Sequence, residues 1–308
     1  MTTTHLALVG PTASGKTRLA VAVAACLGDV EIVSVDSMQV YRGLDIGTAK
    51  PSEAERAAVP HHLIDIADPS ENWSVARFQA VARDVVAGIE ARGRRALLVG
   101  GTGLYVQAVV DDLRFPGEDL ELRAALDAWT SEPGGVAAAH AELTERDPEA
   151  AARIDPHNAR RIVRALEVVC LTGQPFSSYG ARLGQFGPTA FPVRMAGVWL
   201  PRAVLGVRIA QRFEQMRRAG LVDEVRGLAG GNGGLSRTAK QAIGYKEVLA
   251  HLEGAEPSLD AALDTAVRRT RSFARRQRMW FRRDPRISWF AATNPASIEP
   301  ALLASWSR

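Results

Sequence analysis

The chain of 308 residues lacks several features that would point to particular classes of protein. Its 2 cysteines, Cys26 and Cys170, lie in apolar stretches, so disulfide frameworks and zinc fingers are excluded and both thiols are expected to be buried and free. No apolar run approaches the roughly 18 residues of a membrane span, and no basic leader opens the sequence. Hydrophobic content of 46% and charged content of 23% therefore indicate a globular protein, expected to be cytoplasmic and without a membrane segment.

Positive charge is present but concentrated in one stretch. The formal net charge is +4, yet residues 268–286 hold nine arginines and one acid, so the rest of the chain is net negative. A helix predicted over 259–281 would carry basic stripes with spacings of three, four and seven residues. Its less polar stripe, which can pack inward, comprises Ala266, Thr270, Phe273, Gln277 and Trp280. Like charges at the spacings of the basic stripes repel by a few tenths of a kcal/mol per pair. Either phosphates of a polyanion or ion pairs within the chain are expected to offset that repulsion.

The most specific motif is GPTASGKT, which fits the phosphate-binding pattern G-x-x-x-x-G-K-[ST]. It follows an apolar run over 6–9 that is typical of a buried strand, and it leads into a predicted helix over 19–27. Such a loop turns backbone N–H groups towards a phosphate, and the helix adds its positive dipole end. A chance glycine turn would not match all four fixed positions. The residues predicted to bind a diphosphate or nucleotide are Gly10, Pro11, Thr12, Ala13, Ser14, Gly15, Lys16 and Thr17.

Two further polar residues follow predicted strands. Asp36 comes after the β-rich run 31–35, and Thr102 follows the run 96–99. In an open α/β sheet, ligands bind outside the carboxyl ends of the strands, so Gly10, Asp36 and Thr102 should face one crevice. Asp36 could instead be a turn residue and Thr102 a helix cap. The run 96–99 does not end in the aspartate that P-loop kinases and ATPases usually carry on a later strand.

The order of predicted elements indicates an α/β fold, a P-loop NTPase-like parallel sheet flanked by helices. The core is predicted to comprise residues 1–114 and 192–308, including a strand over 193–200 and a helix over 203–219. Between them, residues 115–191 show helical patterns over 120–130, 136–146 and 158–171 and no convincing strand. These residues are predicted to form an all-helical insertion domain.

Six stretches of the sequence together resemble the tRNA dimethylallyltransferases, also called tRNA isopentenyltransferases, of the IPP transferase family. The resemblance runs in order from about Leu6 to Phe290, and several of its motifs are long. The stretches are GPTASGKTRLA, VDSMQVYRGLDIGTAKP, VGGTGLY, RRIVRALEV, QAIGYKE and ARRQRMWFRR.

This resemblance implies transfer of a dimethylallyl group from dimethylallyl diphosphate to the exocyclic amino group of the adenine immediately 3′ of the anticodon in tRNA. Asp36 would be the general base, and Thr102 would hydrogen-bond the bridging oxygen. Lys16, Arg212 and a Mg²⁺ ion on Thr17 would stabilise the leaving diphosphate. ATP binding at the same loop and a monomeric state are also expected.

The resemblance further implies which residues contact the anticodon stem-loop. Arginines of the insertion helix and of the C-terminal helix would hold the RNA, although a solvated helix face is an alternative for the former. The predicted tRNA-binding residues are Asp36, Ser37, Met38, Gln39, Gly103, Arg123, Arg160, Arg161, Ile162, Val163, Arg164, Arg275 and Arg276.

Three other functions fit parts of the sequence. A P-loop kinase or nucleotide hydrolase would turn over ATP without tRNA. A prenyltransferase acting on a free nucleotide would accept AMP as well as it accepts an anticodon stem-loop. A non-catalytic RNA-binding protein would account for the arginines but would leave the P-loop and Asp36 without a role.

Overall fold

A computed structural model describes residues 3–180, 184–231, 233–292 and 295–306, and a parallel sheet organises most of them. Its order is β3-β2-β4-β1-β5-β6, and every described strand pairing is parallel. The strands are β1 (His5–Val9), β2 (Val30–Val35), β3 (His61–His62), β4 (Arg95–Gly100), β5 (Val193–Trp199) and β6 (Ile287–Ala291).

The central strands are buried along nearly their whole length. β1 is buried at all of its positions and pairs with β4 through Leu8 and Val99 and with β5 through Leu8 and Ala196. Helices cover both faces of such a sheet, which is why its strands are continuous apolar runs rather than alternating ones. The α/β fold and these strands confirm the sequence-based prediction. The edge strand β6 has no counterpart in it, because ISWFA is short and only Ile287 is buried.

The helices alternate with the strands in the first part of the chain and cluster in the middle. They are α1 (Lys16–Leu27), α2 (Glu53–Ala58), α3 (Val75–Ala91), α4 (Gly103–Val110), α5 (Leu120–Ser131), α6 (Gly135–Arg146), α7 (Pro148–Arg153), α8 (Ala159–Thr172), α9 (Phe176–Gly180), α10 (Arg202–Arg218), α11 (Leu221–Gly230), α12 (Tyr245–Leu252), α13 (Leu259–Phe281) and α14 (Pro295–Trp306). A short 3₁₀ turn spans Ala239–Gln241.

The chain divides into two compact units. The first comprises residues 1–112 and 186–308 and contains the sheet, whereas the second comprises residues 113–185. In the residues described for the second unit, α5 to α9 occur without a strand. This unit has its own apolar core, which includes Leu143, Ile162 and Leu166. The predicted insertion, 115–191, covers nearly the same residues as the second unit.

Two expectations from composition have different outcomes. Within the described ranges, no helix is both long and apolar enough to cross a bilayer. Cys26 and Cys170 are exposed, however, so the prediction that both thiols are buried is wrong. Each thiol lies on an outward side of its helix, Cys26 near Glu299 at 3.5 Å and Cys170 near Arg146 at 3.6 Å. Apolar neighbours in sequence do not determine which side of a helix a residue occupies.

Candidate active site

The loop between β1 and α1 forms a hollow of backbone N–H groups. Ala13 and Gly15 both have positive φ, 60° and 89°, and Gly15 is the N-cap of α1. No side chain caps this helix end, and its first turn contains no acid. Among the described residues, the N–H groups of Ala13, Gly15, Lys16 and Thr17 have no acceptor. Backbone donors left open at a helix N-terminus form an anion site.

Lys16, at the first position of α1, is half-buried, and its Nζ lies 3.4 Å from the Pro11 carbonyl oxygen. Burial lowers the pKa of Lys16 to about 8; the carboxylate of Asp36 opposes this shift and the guanidinium of Arg212 adds to it. Burial also lowers the pKa of Arg212, with Asp36 again opposing. Two partly desolvated cations with a single carboxylate between them leave excess positive charge, which favours an anionic ligand.

Asp36 follows β2 and holds the turn that comes after the strand. Its Oδ1 accepts the N–H groups of Met38 at 2.9 Å and Gln39 at 3.4 Å. Within the part of the chain that is described, its Oδ2 has no hydrogen-bond partner. Oδ1 of Asp36 therefore holds the turn, and Oδ2 is left for the predicted role as a base. The hydrogen bonds to Oδ1 also fix the direction in which Oδ2 points.

Thr102 occupies the N-cap position of α4, but its side chain makes no capping hydrogen bond. Its hydroxyl has no hydrogen-bond partner among the described residues and is open to a ligand, and its role as a donor to a bridging oxygen stays a prediction. The neighbouring Gly103 has a packing reason to lack a side chain, because a Cβ there would lie 2.3 Å from the Trp280 ring of α13.

One cavity of about 370 Å³ brings most of these groups together. Its polar lining includes Thr12, Lys16, Thr17, Asp36, Thr102 and Arg212. Ser37, Met38 and Gln39 also line it, and Ile32, Phe213, Met216 and Ile243 add apolar surface. The remaining loop residues that were predicted, Gly10, Pro11, Ala13, Ser14 and Gly15, are not among its lining residues.

Some residues at this cavity were not predicted to act there. Gln277 of α13, expected to pack inward in a less polar stripe, lines the cavity and contacts the P-loop. Thr48 offers its carbonyl oxygen to Arg212 at 3.4 Å and to the Gln39 amide at 3.2 Å. Because Gln39 also accepts from Ser34 at 2.8 Å, its side chain is engaged within the protein. A polar residue within an inward-facing stripe was the signal available for Gln277.

The arginines of α13 have few acidic partners. Arg269 pairs with Glu247, and Arg271 donates to the Gly206 carbonyl at 3.2 Å. Arg275 and Arg276 are exposed and form no ion pair with any described residue, and Arg276 lines the cavity. Ion pairs with the described residues therefore offset little of the charge on this helix.

The predicted RNA contacts in the second unit separate into two groups. Arg123 and Arg164 pair with the fully buried carboxylate of Glu167 at 2.5 and 2.7 Å. Ile162 and Val163 are buried, 0% and 2% exposed, so their side chains do not reach a polyanion, and an RNA contact at these two positions stays a prediction. They lie on the inward side of the amphipathic helix α8, whose periodicity predicts burial for them.

Arg160 and Arg161, in the first turn of the same helix, are exposed. The Asn158 side chain caps this helix by accepting the Arg161 N–H at 3.2 Å. Neither guanidinium has an acidic partner in the described part of the chain, so both can reach a polyanion.

Comparisons with known proteins agree with the geometry. The family model described as IPP transferase matches residues 39–284, and that described as Isopentenyl transferase matches residues 3–65. The chain is 50% identical over 306 residues to tRNA dimethylallyltransferase of Kineococcus radiotolerans, covering 97% of this chain and 93% of that protein. It is 53% identical over 286 residues to tRNA dimethylallyltransferase of Parafrankia sp., covering 92% and 86%.

Solved structures are similar over nearly the whole fold. The full-length tRNA isopentenylpyrophosphate transferase from Bacillus halodurans superposes with a TM-score of 0.72 at 41% identity, covering 99% of this chain and 95% of that one. A eukaryotic dimethylallyltransferase, described as acting on tRNA, gives a TM-score of 0.75 at 25% identity, covering 95% and 75%. With family models, curated relatives and folds in agreement, the chain belongs to the IPP transferase family.

Proposed function

We propose that this enzyme transfers a dimethylallyl group from dimethylallyl diphosphate to the exocyclic amino group of the adenine immediately 3′ of the anticodon in tRNA, releasing diphosphate. The observation that carries the proposal is the shared cavity. It joins Lys16 of the phosphate-binding loop, the carboxylate Asp36 and Arg276 of the basic helix α13. A phosphate site, a base and an RNA-facing cation at one cavity suit a prenyl transfer to RNA.

The donor fits the cavity by charge and by polarity. Its diphosphate would occupy the open N–H groups of the P-loop, beside Lys16 and Arg212. Its five-carbon chain would lie against Phe213, Met216 and Ile243, which line the same space. Because both cations are partly desolvated, they interact strongly with charge that develops on the leaving oxygens.

The acceptor nitrogen needs help to react, because its lone pair is delocalised into the adenine ring. The free oxygen of Asp36 takes one of its protons while the nitrogen forms a bond to the allylic carbon. The carbon–oxygen bond to the diphosphate breaks in the same transfer, and the leaving group departs with that electron pair. Thr102, whose hydroxyl has no capping role, donates to the bridging oxygen.

Magnesium suits this donor set. In the described ranges no cluster of three His, Cys, Asp or Glu side chains could hold an ion without a ligand. Mg²⁺ commonly binds through one or two protein oxygens together with substrate phosphates and waters. Thr17 lines the cavity, and its hydroxyl has no hydrogen-bond partner among the described residues. Bound there, the ion would neutralise diphosphate charge.

The RNA partner is proposed from exposed arginines on two units. Arg275 and Arg276 lie on α13, and Arg160 and Arg161 begin α8. The adenine must leave its stack to enter the cavity, which costs a few kcal/mol and least in a single-stranded loop. An anticodon loop meets that condition. We expect the active enzyme to be a monomer. Light scattering on the purified protein tests this by giving its molar mass in solution.

The decisive experiment incubates the protein with labelled dimethylallyl diphosphate, Mg²⁺ and an anticodon stem-loop. Label should enter the stem-loop with adenine 3′ of the anticodon, and a stem-loop with guanine there should remain unlabelled. Chelation of Mg²⁺ should lower the rate. Efficient labelling of free AMP would instead favour a free-nucleotide prenyltransferase. ATP turnover without RNA would favour a kinase or hydrolase, and RNA binding without any labelling would leave a binding protein.

A further inference from the structure

Gln277 connects the basic helix directly to the phosphate-binding loop. Its side chain is 5% exposed and lies between two arginines of α13, Arg276 and Arg278. Its Oε1 accepts the N–H of Thr12 at 2.9 Å, and its Nε2 donates to the Gly101 carbonyl at 2.8 Å. One buried amide therefore holds residues from three separate parts of the chain in a fixed relation.

The two partners of Gln277 flank the reacting groups. Thr12 belongs to the loop that ends at Lys16, and Gly101 precedes Thr102. A Cβ built on Gly101 would lie 2.5 Å from the Gln277 Nε2 and 3.4 Å from the Lys16 Nζ. The amide is thus adjacent to the ammonium that faces the donor. Its bond to Thr12 turns that N–H towards α13, while four later N–H groups, those of Ala13, Gly15, Lys16 and Thr17, have no acceptor among the described residues.

We propose that Gln277 is a positioning residue that couples RNA bound along α13 to diphosphate bound in the P-loop. The inference rests on the proposed function, since it takes RNA as the ligand of α13. Arg275 and Arg276 immediately precede Gln277 and repel their neighbours on the helix when no phosphate is present. RNA phosphates relieve that repulsion and so stabilise the position of α13 that the structure shows, in which the amide holds Thr12 and Gly101. That arrangement leaves N–H groups of the loop open for diphosphate, so bound RNA favours diphosphate binding.

Coupling of this kind is reciprocal, so it can be measured from either ligand. The dissociation constant of inorganic diphosphate is measured by calorimetry, with and without a saturating anticodon stem-loop. In the parent chain the stem-loop should tighten diphosphate binding about 5-fold or more, and diphosphate should tighten stem-loop binding by the same factor. In Gln277→Met, a variant of similar size without either hydrogen bond, the factor should fall to about 1. Binding of the stem-loop alone should change little.

A second variant approaches the same contact from the opposite side. Gly101→Ala places a methyl group 2.5 Å from the Gln277 Nε2, so it displaces that flexible side-chain end, and it also presses on the Gly10 carbonyl oxygen at 3.1 Å. Because the coupling factor is a ratio of dissociation constants of one variant, a uniform effect on diphosphate binding cancels. Gly101→Ala should also abolish the coupling between stem-loop and diphosphate binding. If Gln277→Met does not fold, this variant tests the role of Gln277 in its place. Met279→Gln is the matched control, because Met279 is 60% exposed on the same helix and should retain the parent's coupling factor.

Two results would overturn the inference: a parent chain in which the ligands bind independently, or folded Gln277→Met and Gly101→Ala variants that keep the parent's factor. Failure of the proposed function would look different. Coupled binding without prenylated RNA would reject the reaction and leave the role of Gln277 intact. Prenylated RNA from a chain without coupling would reject only the role of Gln277.

Discussion

Tyr245 donates a hydrogen bond from its hydroxyl to the Glu224 carboxylate at 2.5 Å, and this pair holds the loop beside the active site. Glu224 also accepts the N–H groups of Asp45 at 3.1 Å and Ile46 at 2.8 Å. The loop continues to Thr48, whose carbonyl oxygen binds Arg212. Burial first and the Glu224 hydrogen bond second raise the pKa of Tyr245, so the phenol stays protonated and remains a donor.

Tyr245→Phe removes two hydrogen bonds of the hydroxyl, the one donated to Glu224 and the one accepted from the Gly47 N–H at 3.1 Å. Because Tyr245 is fully buried and Glu224 keeps its backbone donors, unfolding free energy should fall by about 1–3 kcal/mol. Urea denaturation measures the unfolding free energies of the parent and the variant. The half-buried Tyr179 provides a control, since Tyr179→Phe should stay within about 0.5 kcal/mol of the parent. Equal stability of both variants would mean that the Glu224 contact contributes nothing to the fold.

Asp36→Asn tests the proposed general base. The amide retains an oxygen for the Met38 and Gln39 N–H groups, so the turn after β2 should persist. It cannot take a proton, and the turnover number should fall by about 10²-fold or more. Stem-loop and diphosphate binding, measured by calorimetry, should change little. A variant that turns over at nearly the parent rate would remove Asp36 from the mechanism.

Lys16 predicts a specific pH dependence. Its pKa is lowered to about 8, so the free enzyme loses this positive charge as pH rises through that value. The protonated form binds the diphosphate, and kcat/KM for the donor should therefore decline above about pH 8. In the complex, the diphosphate raises the pKa, so the decline in kcat should occur at higher pH. Steady-state rates across pH 6–10 measure both limbs.

Lys16→Arg is the control for this assignment, because a guanidinium keeps its charge across the whole range. Its activity should be lower, but its kcat/KM should no longer decline near pH 8. A decline at the same pH in both proteins would assign it to another group.

Arg275→Ala combined with Arg276→Ala tests RNA binding by α13. Each lost phosphate contact lowers the salt dependence of binding by about 0.7 to 0.9 in log–log slope, so the double variant should lose up to about two units. The matched control is Arg217→Ala combined with Arg218→Ala. These adjacent arginines pair with Asp260 and Glu214, and their loss should leave the slope unchanged. An unchanged slope in the α13 variant would make its arginines a purely structural feature.

Arg164→Ala should affect stability, whereas its exposed neighbours should affect binding. Without Arg164, the fully buried Glu167 carboxylate loses one of its two ion-pair partners but keeps Arg123, so the loss of stability should be smaller than the cost of about 3–5 kcal/mol for a buried charge left without a partner. Arg160→Ala with Arg161→Ala should leave the unfolding free energy unchanged and weaken stem-loop binding. Thermal unfolding and calorimetry separate the two effects. Unchanged stability in Arg164→Ala would show that Arg123 alone compensates Glu167.

The Glu167 cluster also gives a direction for acid denaturation. Burial raises the pKa of Glu167, but hydrogen bonds from Arg164 and Arg123 outweigh it, and the net pKa is lowered. The unfolded chain therefore binds a proton more readily than the folded one. The cluster's stabilisation is present above the ordinary glutamate pKa and is lost as pH falls through the lowered value.

Local patterns in the sequence determined most of the sheet, the phosphate-binding loop and the basic helix. The P-loop motif, the apolar runs of β1, β2, β4 and β5, and the periodicity of α13 specify short-range structure, because glycine positions, strand burial and helix spacing act within a few residues. Since parallel strands end at one edge, the sequence alone also predicted that Asp36 and Thr102 share a crevice, and both line the cavity.

Only the tertiary structure decided which polar groups are available to a ligand. Arg123 and Arg160 look alike in sequence, yet one neutralises buried Glu167 and the other faces solvent. Gln277 and Thr12 are hydrogen-bonded although they lie 265 positions apart in the sequence, and no local periodicity predicts that contact. A side chain's role depends on the desolvated partners that folding places beside it, and those partners come from distant segments whose packing a local pattern does not specify.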